Sequence, residues 1–376
     1  ESPPPTRAVT QEEAPPKEVE VAAAPRRARV THAPTAPQSS SSRSALVAGL
    51  LLTLVGGAGY LVYQDTFSQG TRDSSNTSGT ASKGAEAPIK IGVVFSHSGG
   101  LQEQSAHLTE AVHLAITQLN ATGGVMRRPV EATVVDGRSS PPHAAREVER
   151  LIRDDKVVAV FGCRSSACRK AVKPVVEAAD SLFVYPGHYE GLEASANILY
   201  TGATPQQNLI PAVTFAFTDL GARRFFLIGG DDVYSRAAHA EVRDLLQTLG
   251  GKVHGELLVP RGDEVNRKTI RSLTKKKARV DLIINTLPSA SSALLFRELR
   301  NAGIKPSKLP TLSVNVGEHE LETLKTLEMG GEFISRSYYE SSESAKGRAF
   351  VASFKDKFGQ HRRVTSAIEA AYTGVH

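Results

Sequence analysis

Tryptophan is absent from the 376 residues, aromatics make up 6%, and no basic stretch is interleaved with stacking side chains. A net charge of +6 would otherwise suggest nucleic acid or anionic lipid, but without aromatic platforms or a concentrated basic face a nucleic-acid partner is excluded. The densest basic run, Lys275-Lys276-Lys277-Ala278-Arg279, falls where a helical pattern ends, where cations suit the macrodipole. Cysteine is scarce too. Cys163 and Cys168 cannot form a zinc site alone, and no histidine stands at ligand spacing beside them. An oxidising compartment would permit a disulfide, yet four intervening residues entering a helix strain its geometry, so two packed free thiols are expected. Catalytic signatures are missing as well. There is no nucleophile elbow, no phosphate loop, no His-Glu-x-x-His, and Gly229-Gly230-Asp231-Asp232 lacks the later glycine of a dinucleotide fingerprint. His97, His107 and His113 are not at paired-ligand spacing. The reading is of a protein that is not an enzyme and holds no metal or cofactor.

Only one long apolar run occurs. Residues 45–63 are uncharged throughout and, at 1.5 Å per residue, reach about 28 Å as a helix, enough for a hydrocarbon core. Tyr60 and Tyr63 stand at one end, as interfacial aromatics do. A cleaved signal peptide would have a shorter core and a shorter leader. The expectation is therefore one transmembrane helix, with the lipid bilayer as a partner. Arg26, Arg27, Arg29 and Arg43 precede it, which puts the N-terminus in the cytoplasm and the rest outside. Residues 1–44, rich in Pro, Ala and Ser, read as a disordered cytoplasmic linker, and residues 64–87 as a flexible tether. The chain opens at Glu1 and stops within a helical pattern at His376, so a fragment at both ends is expected.

From Ala87 the texture changes. Ile89-Lys-Ile-Gly-Val-Val-Phe95 is a buried-strand run, and strand-like runs recur near 130–135, 157–161, 182–185, 224–228, 252–258 and 280–285. Helical patterns lie near 102–120, 141–154, 165–179, 205–219, 235–249, 264–277 and 289–302. Such alternation predicts parallel sheets covered by helices on both faces. Ile198–Pro205 is a short extended piece with no helix before it. It divides the series into two halves and reads as a crossing between two lobes.

Several segments in this order are similar to those of one family. They are Ser96-His-Ser-Gly99, Asn120-Ala-Thr-Gly-Gly124, Phe161-Gly-Cys-Arg-Ser-Ser-Ala-Cys-Arg-Lys-Ala-Val172, Tyr185-Pro-Gly-His-Tyr-Glu-Gly-Leu-Glu193, Tyr200-Thr-Gly-Ala-Thr-Pro-Gln-Gln207, Phe226-Leu-Ile-Gly-Gly-Asp231 and Glu369-Ala-Ala-Tyr-Thr-Gly374. The ordered set resembles the urea and short-chain-amide branch of the branched-chain amino-acid type (type I) periplasmic solute-binding proteins. The resemblance implies an α/β, two-lobed fold with a hinge of crossing strands over 88–376. The first lobe would cover about 88–200, the second about 206–335, and 336–376 would return to the first, with the C-terminus incomplete. A ligand would be clasped between the lobes.

In that family the turn Arg164-Ser165-Ser166 contacts the solute, and the free amides and hydroxyls opening a helix there suit a polar or anionic group. Tyr185, His188 and Tyr189 occupy the next turn, and Tyr234 matches an aromatic that closes over the ligand. Ser98, Ser289 and Asn315, on further turns, complete the candidate set. Two departures stand out. Arg164 replaces an aromatic, and Pro288-Ser289-Ala290 replaces an Asn-Gly-Asp. An acid is lost and a guanidinium gained, so a carboxylate or amino acid competes with urea or amide, unless Arg164 faces solvent. The expected function is a membrane-anchored receptor for a small polar solute. It would be the sensor part of a transmembrane signalling protein with a signalling domain in cis, or alternatively the substrate-binding component of an ABC importer meeting its permease.

Overall fold

A computed structural model describes residues 87–105, 107–260, 265–266, 269–271, 273, 280–324 and 327–376. The expected linkers of 1–44 and 64–86, the apolar run 45–63, most of the helix expected at 264–277 and the basic run 275–279 lie outside the described residues. Among the described residues no helix is long and apolar enough to cross a membrane.

Two five-stranded sheets carry the fold, and every pairing between their strands is parallel. The first contains β1 (Ile89–Phe95), β2 (Val130–Asp136), β3 (Ala159–Gly162), β4 (Leu182–Tyr185) and β5 (Ile198–Tyr200), in the order β2-β1-β3-β4-β5. Between them run α1 (Gln102–Ser105), α2 (Leu108–Ala121), α3 (Pro141–Arg153) and α4 (Ser166–Ala178). Side chains alternate across each strand, and the alternation is readable residue by residue. Ile91, Val93, Phe95 and Phe161 face one core with α2, while Val94, Val160 and Phe183 face another with α3 and α4. Both faces are apolar because both are covered, as a parallel sheet requires.

The second sheet follows the same logic. Its strands are β6 (Arg224–Gly230), β7 (Lys252–Val259), β8 (Leu282–Thr286), β9 (Thr311–Ser313) and β10 (Phe333–Ile334), in the order β10-β9-β8-β6-β7. Phe225, Leu227 and Ile284 pack toward α5 (Leu209–Thr218) and α6 (Val233–Leu249), while Phe226, Ile228 and Ile283 pack toward α7 (Ser289–Asn301). A short α8 (Glu318–Leu324) precedes β10, and α9 (Ala345–Phe358) and α10 (Ser366–Thr373) follow it. Phe350, Phe354 and Ile368 from the last two helices join Ile91, Val93 and Phe95 in one core, so the chain returns to the first lobe.

Three expectations need correction. The helix expected over 102–120 is two helices, α1 and α2. The piece at 198–205 is not a crossing along its whole length, because Ile198–Tyr200 is the edge strand β5, paired with β4. No crossover helix is needed there: the loop after β4 is stapled to the lobe by buried Arg169, which bonds Glu190 and Glu193. The chain leaves the lobe only beyond Tyr200, entering a 3₁₀ turn at Pro205–Gln207 closed by a Thr204/Gln207 capping box. Finally, Cys163 and Cys168 are not free thiols but a disulfide, with Cα atoms 5.6 Å apart, inside the ordinary range. Cys163 adopts φ +60°, unusual for a residue with a side chain, as the backbone turns sharply from β3 toward α4.

Candidate ligand-binding cleft

In parallel α/β sheets the open ground lies beyond the carboxyl ends of the strands, where the loops turn into helices. Loops after β3 and β4 in the first lobe, after β6, β8 and β9 in the second, and the crossing that carries Arg336 supply its polar groups. A space of about 270 Å³, partly open to solvent, is lined by His188, Asn208, Arg336 and Ser366 among others. A second, of about 360 Å³, lies against Ser96, Ser139, Ser140, Arg164 and Ser165.

The lobes meet through aromatic rings. His188 of the first lobe stands edge-on to Tyr234 of the second, with ring centroids 4.4 Å apart at 76°. Burial pulls the His188 imidazole well below its usual range, and the charges of Arg164 and Arg336 pull it further. His188 is therefore neutral at pH 7 and can donate or accept one hydrogen bond there.

Arg164 is the most exceptional group in the cleft. Its Nε is buried without a hydrogen-bond partner among the described residues. Burial depresses the guanidinium, with Tyr185, Glu320 and Tyr234 acting the other way. An arginine stays charged even so. Arg336 is the second cation. Its Nη1 donates to the Val314 carbonyl at 2.8 Å and its Nη2 to Ser366 Oγ at 2.5 Å. Burial lowers it first, and Arg164 next. Two guanidiniums that repel each other across a cleft call for negative charge between them. Arg336 was not foreseen, because a single arginine in Ile-Ser-Arg-Ser-Tyr carries no pattern that marks it.

The remaining candidates divide. Ser98 turns to its own lobe, where its hydroxyl donates to Asp136 at 2.6 Å. Ser165 caps α4, accepting from the Cys168 amide at 3.3 Å, and lines the space beside Arg164. Ser166 is buried; its hydroxyl donates to Glu190 at 2.6 Å and accepts from Arg169 Nη1 at 3.1 Å. Tyr185 is fully buried, with its hydroxyl directed at the His188 carbonyl at 3.3 Å. Tyr189 stacks on Tyr200 at 4.3 Å inside the first lobe. Ser289 donates to the Asn315 carbonyl at 3.3 Å. Asn315 donates from Nδ2 to Thr286 at 2.8 Å and leaves its Oδ1 buried without a partner among the described residues. The structure thus groups Arg164, His188 and Tyr234 with Arg336, and directs the Ser98, Ser166 and Tyr189 side chains into the first lobe.

Beneath the first-lobe loops lies a charge network built on Arg169, whose side chain is fully buried. It bonds Glu190 at 2.7 Å and Glu193 at 2.9 Å, and its guanidinium sits 5.1 Å from the Tyr185 ring centroid and 5.2 Å from that of Tyr189. Burial alone would raise the Glu193 carboxyl, but the bonds from Arg169 and Tyr200 hold it down at about 2. This network fixes the backbone of residues 186–193 and so the position of His188.

Two lobes face a polar cleft in which, among the described residues, Arg164 Nε and Asn315 Oδ1 are left without protein partners, an arrangement suited to clasping a small solute. The chain belongs to the periplasmic binding protein family: a family model described as "Periplasmic binding protein domain" matches residues 89–376. Its relatives are solute-binding proteins, not enzymes. An "Amino acid binding protein" of Pseudomonas aeruginosa is 25% identical over 229 residues, spanning 58% of this chain and 59% of that protein's length. A "Leu/Ile/Val-binding protein homolog 7" of Brucella abortus is 24% identical over 307 residues, 74% of this chain and 73% of its own. Among solved structures, the branched-chain amino acid transporter substrate-binding protein LivJ of Streptococcus pneumoniae, in complex with isoleucine, superposes with a TM-score of 0.66 at 20% identity, covering 77% of this chain and 82% of that one. A solute-binding protein of an ABC transporter from Rhodopseudomonas palustris, in complex with 3,4-dihydroxybenzoic acid, gives 0.68 at 19%, covering 77% and 78%. These likenesses establish the two-lobed type I fold.

Proposed function

We propose that this chain is the extracytoplasmic solute-binding component of an ABC importer, closing over one small polar molecule between its lobes. The observation that carries the reading is the His188–Tyr234 contact: side chains from opposite lobes meet at the cleft, beside buried polar groups without protein partners. Closure of this kind is driven by contacts a ligand makes with both lobes at once. The family match and the relatives named for amino-acid binding support an importer over the transmembrane sensor expected from residues 1–63, which lie outside the described residues. The urea and amide branch remains part of the ligand range to be tested. A thermal-shift screen of the purified protein against amino acids, small organic acids, short amides and urea tests the reading. Ligand at 100 times its dissociation constant should add about 2.7 kcal/mol of stability. A screen without any shift in any class would count against a solute-binding role.

A further inference from the structure

The charges around the cleft can be counted group by group. Arg164 and Arg336 are cations, and among the described residues neither has a carboxylate as a hydrogen-bond partner. A carboxylate for a ligand ammonium is another matter. Asp231 pairs with Arg236. Asp232 caps α6, accepting from the Ser235 amide at 2.8 Å. Glu320, whose charge acts on both arginines, already accepts from the Gly317 amide at 2.7 Å. After β8, Pro288-Ser289-Ala290 offers no acid. Among the described residues of the second lobe, Glu241 Oε2, Thr311 Oγ1 and Asn315 Oδ1 lack partners, and Asn315 Oδ1 is the neutral acceptor next in the chain to the Val314 carbonyl that anchors Arg336.

From this census we infer that the cleft selects a monoanionic carboxylate without an ammonium group, in preference to an α-amino acid or a neutral amide. The inference rests on the solute-binding reading and narrows it. A carboxylate can take a charge-assisted, planar contact from a guanidinium, as Arg164 offers from its first-lobe turn. An α-amino acid brings the same carboxylate together with an ammonium. That ammonium would enter beside two guanidiniums and find Asp231, Asp232 and Glu320 already engaged, so it loses its water without equal return. A neutral amide leaves the half-buried Arg164 guanidinium, with its buried Nε, uncompensated. The carboxylate alone satisfies both demands. The neutral acceptor at Asn315 suits a ligand hydroxyl rather than a second charge.

Matched ligands that differ only in charge test this directly. Calorimetric titration of the purified protein would compare 4-methylpentanoate with leucine and 4-methylpentanamide, and 3-phenylpropanoate with phenylalanine and 3-phenylpropanamide. In at least one series the carboxylate should bind ten times or more tighter than both partners. Arg164→Met should weaken carboxylate binding at least tenfold while Arg164→Lys retains part of it, with circular dichroism confirming that both variants fold. Leucine or phenylalanine binding more tightly than its deaminated partner would overturn the inference and leave the solute-binding reading intact. So would an amide matching its carboxylate, or an Arg164→Met variant that folds and binds unchanged. Failure of all six ligands to bind would remove the inference together with the reading beneath it.

Discussion

Opening the Cys163–Cys168 disulfide is a perturbation whose size can be worked out beforehand. The bond closes a loop with a sequence separation of five residues. In the chain-entropy treatment, a loop of about six residues constrains the unfolded state by roughly 7 cal/mol/K, or about 2 kcal/mol at 25 °C. The folded state gains nothing obvious from release, since Cys163 is buried in the first-lobe core and its left-handed backbone is imposed by the turn into α4. Reduction should therefore lower stability by about 2 kcal/mol. The assay is urea unfolding followed by circular dichroism, with and without reductant, on the wild type and on a Cys163→Ser/Cys168→Ser variant. The wild type should lose midpoint on reduction while the variant is indifferent to reductant. Titration must show two free thiols in the reduced sample. If both thiols titrate and the midpoint does not move, the disulfide is not the constraint it is taken to be. Arg164 lies inside the closed loop, so ligand affinity measured on the same samples reports whether the bond also positions the guanidinium.

Further outcomes concern the buried charges. Arg169→Ala would leave Glu190 and Glu193 buried without their cation and should cost about 3–5 kcal/mol, read from the urea midpoint. The Glu193 carboxyl is held at about 2, below its unfolded value, so the stability it contributes is present above about pH 4.5 and is lost as pH falls toward 2. Glu193→Gln should flatten that acid limb in a pH series of unfolding midpoints, and an unchanged limb would remove Glu193 from the account. Glu241, on α6, has the opposite sign. Burial first, then the charges of Glu190 and Asp244, push its carboxyl up to about 7, and its Oε2 lacks a partner among the described residues. The folded protein then holds a proton that the unfolded chain has released, so stability should decline from about pH 4.5 to 7 and level off above. Glu241→Gln should abolish that decline, and a decline that persists in the variant would assign it to another group.

The sheets could be read from the sequence because burial on both faces writes itself as uninterrupted Val, Ile and Phe, as in 89–95 and 224–228. Of the elements after residue 302, β9 and β10 escaped because they are three and two residues long, too short for any period to show. The loops of the site were legible and their side-chain directions were not. Ser166 sits in the motif that resembles the family's binding turn, yet whether its hydroxyl turns to the cleft or to Glu190 depends on a partner 24 residues away. Arg169 has the same cause: on an amphipathic helix it reads as surface charge until two glutamates beyond β4 fold over it. Cys163 was misjudged because a left-handed turn cannot be inferred from a residue that is not glycine or asparagine.

The return of α9 and α10 to the first lobe has a consequence for how the molecule comes into being. Ile91, Val93 and Phe95 emerge among the earliest residues of the domain, yet Phe350, Phe354 and Ile368, which cover them, emerge among the last. The second sheet is built wholly from residues 224–334, between those two portions. During synthesis the second lobe can finish first, while the first waits with one apolar face bare and its closing contacts deferred by more than 200 residues of chain, roughly 10–40 s at ordinary elongation rates. Such long-range closure is slow and exposed to aggregation. A nascent chain held at residue 340 should show a protease-resistant second lobe and a susceptible first one. Any carrier that shields unfinished chains would find its target in the bare face of β1.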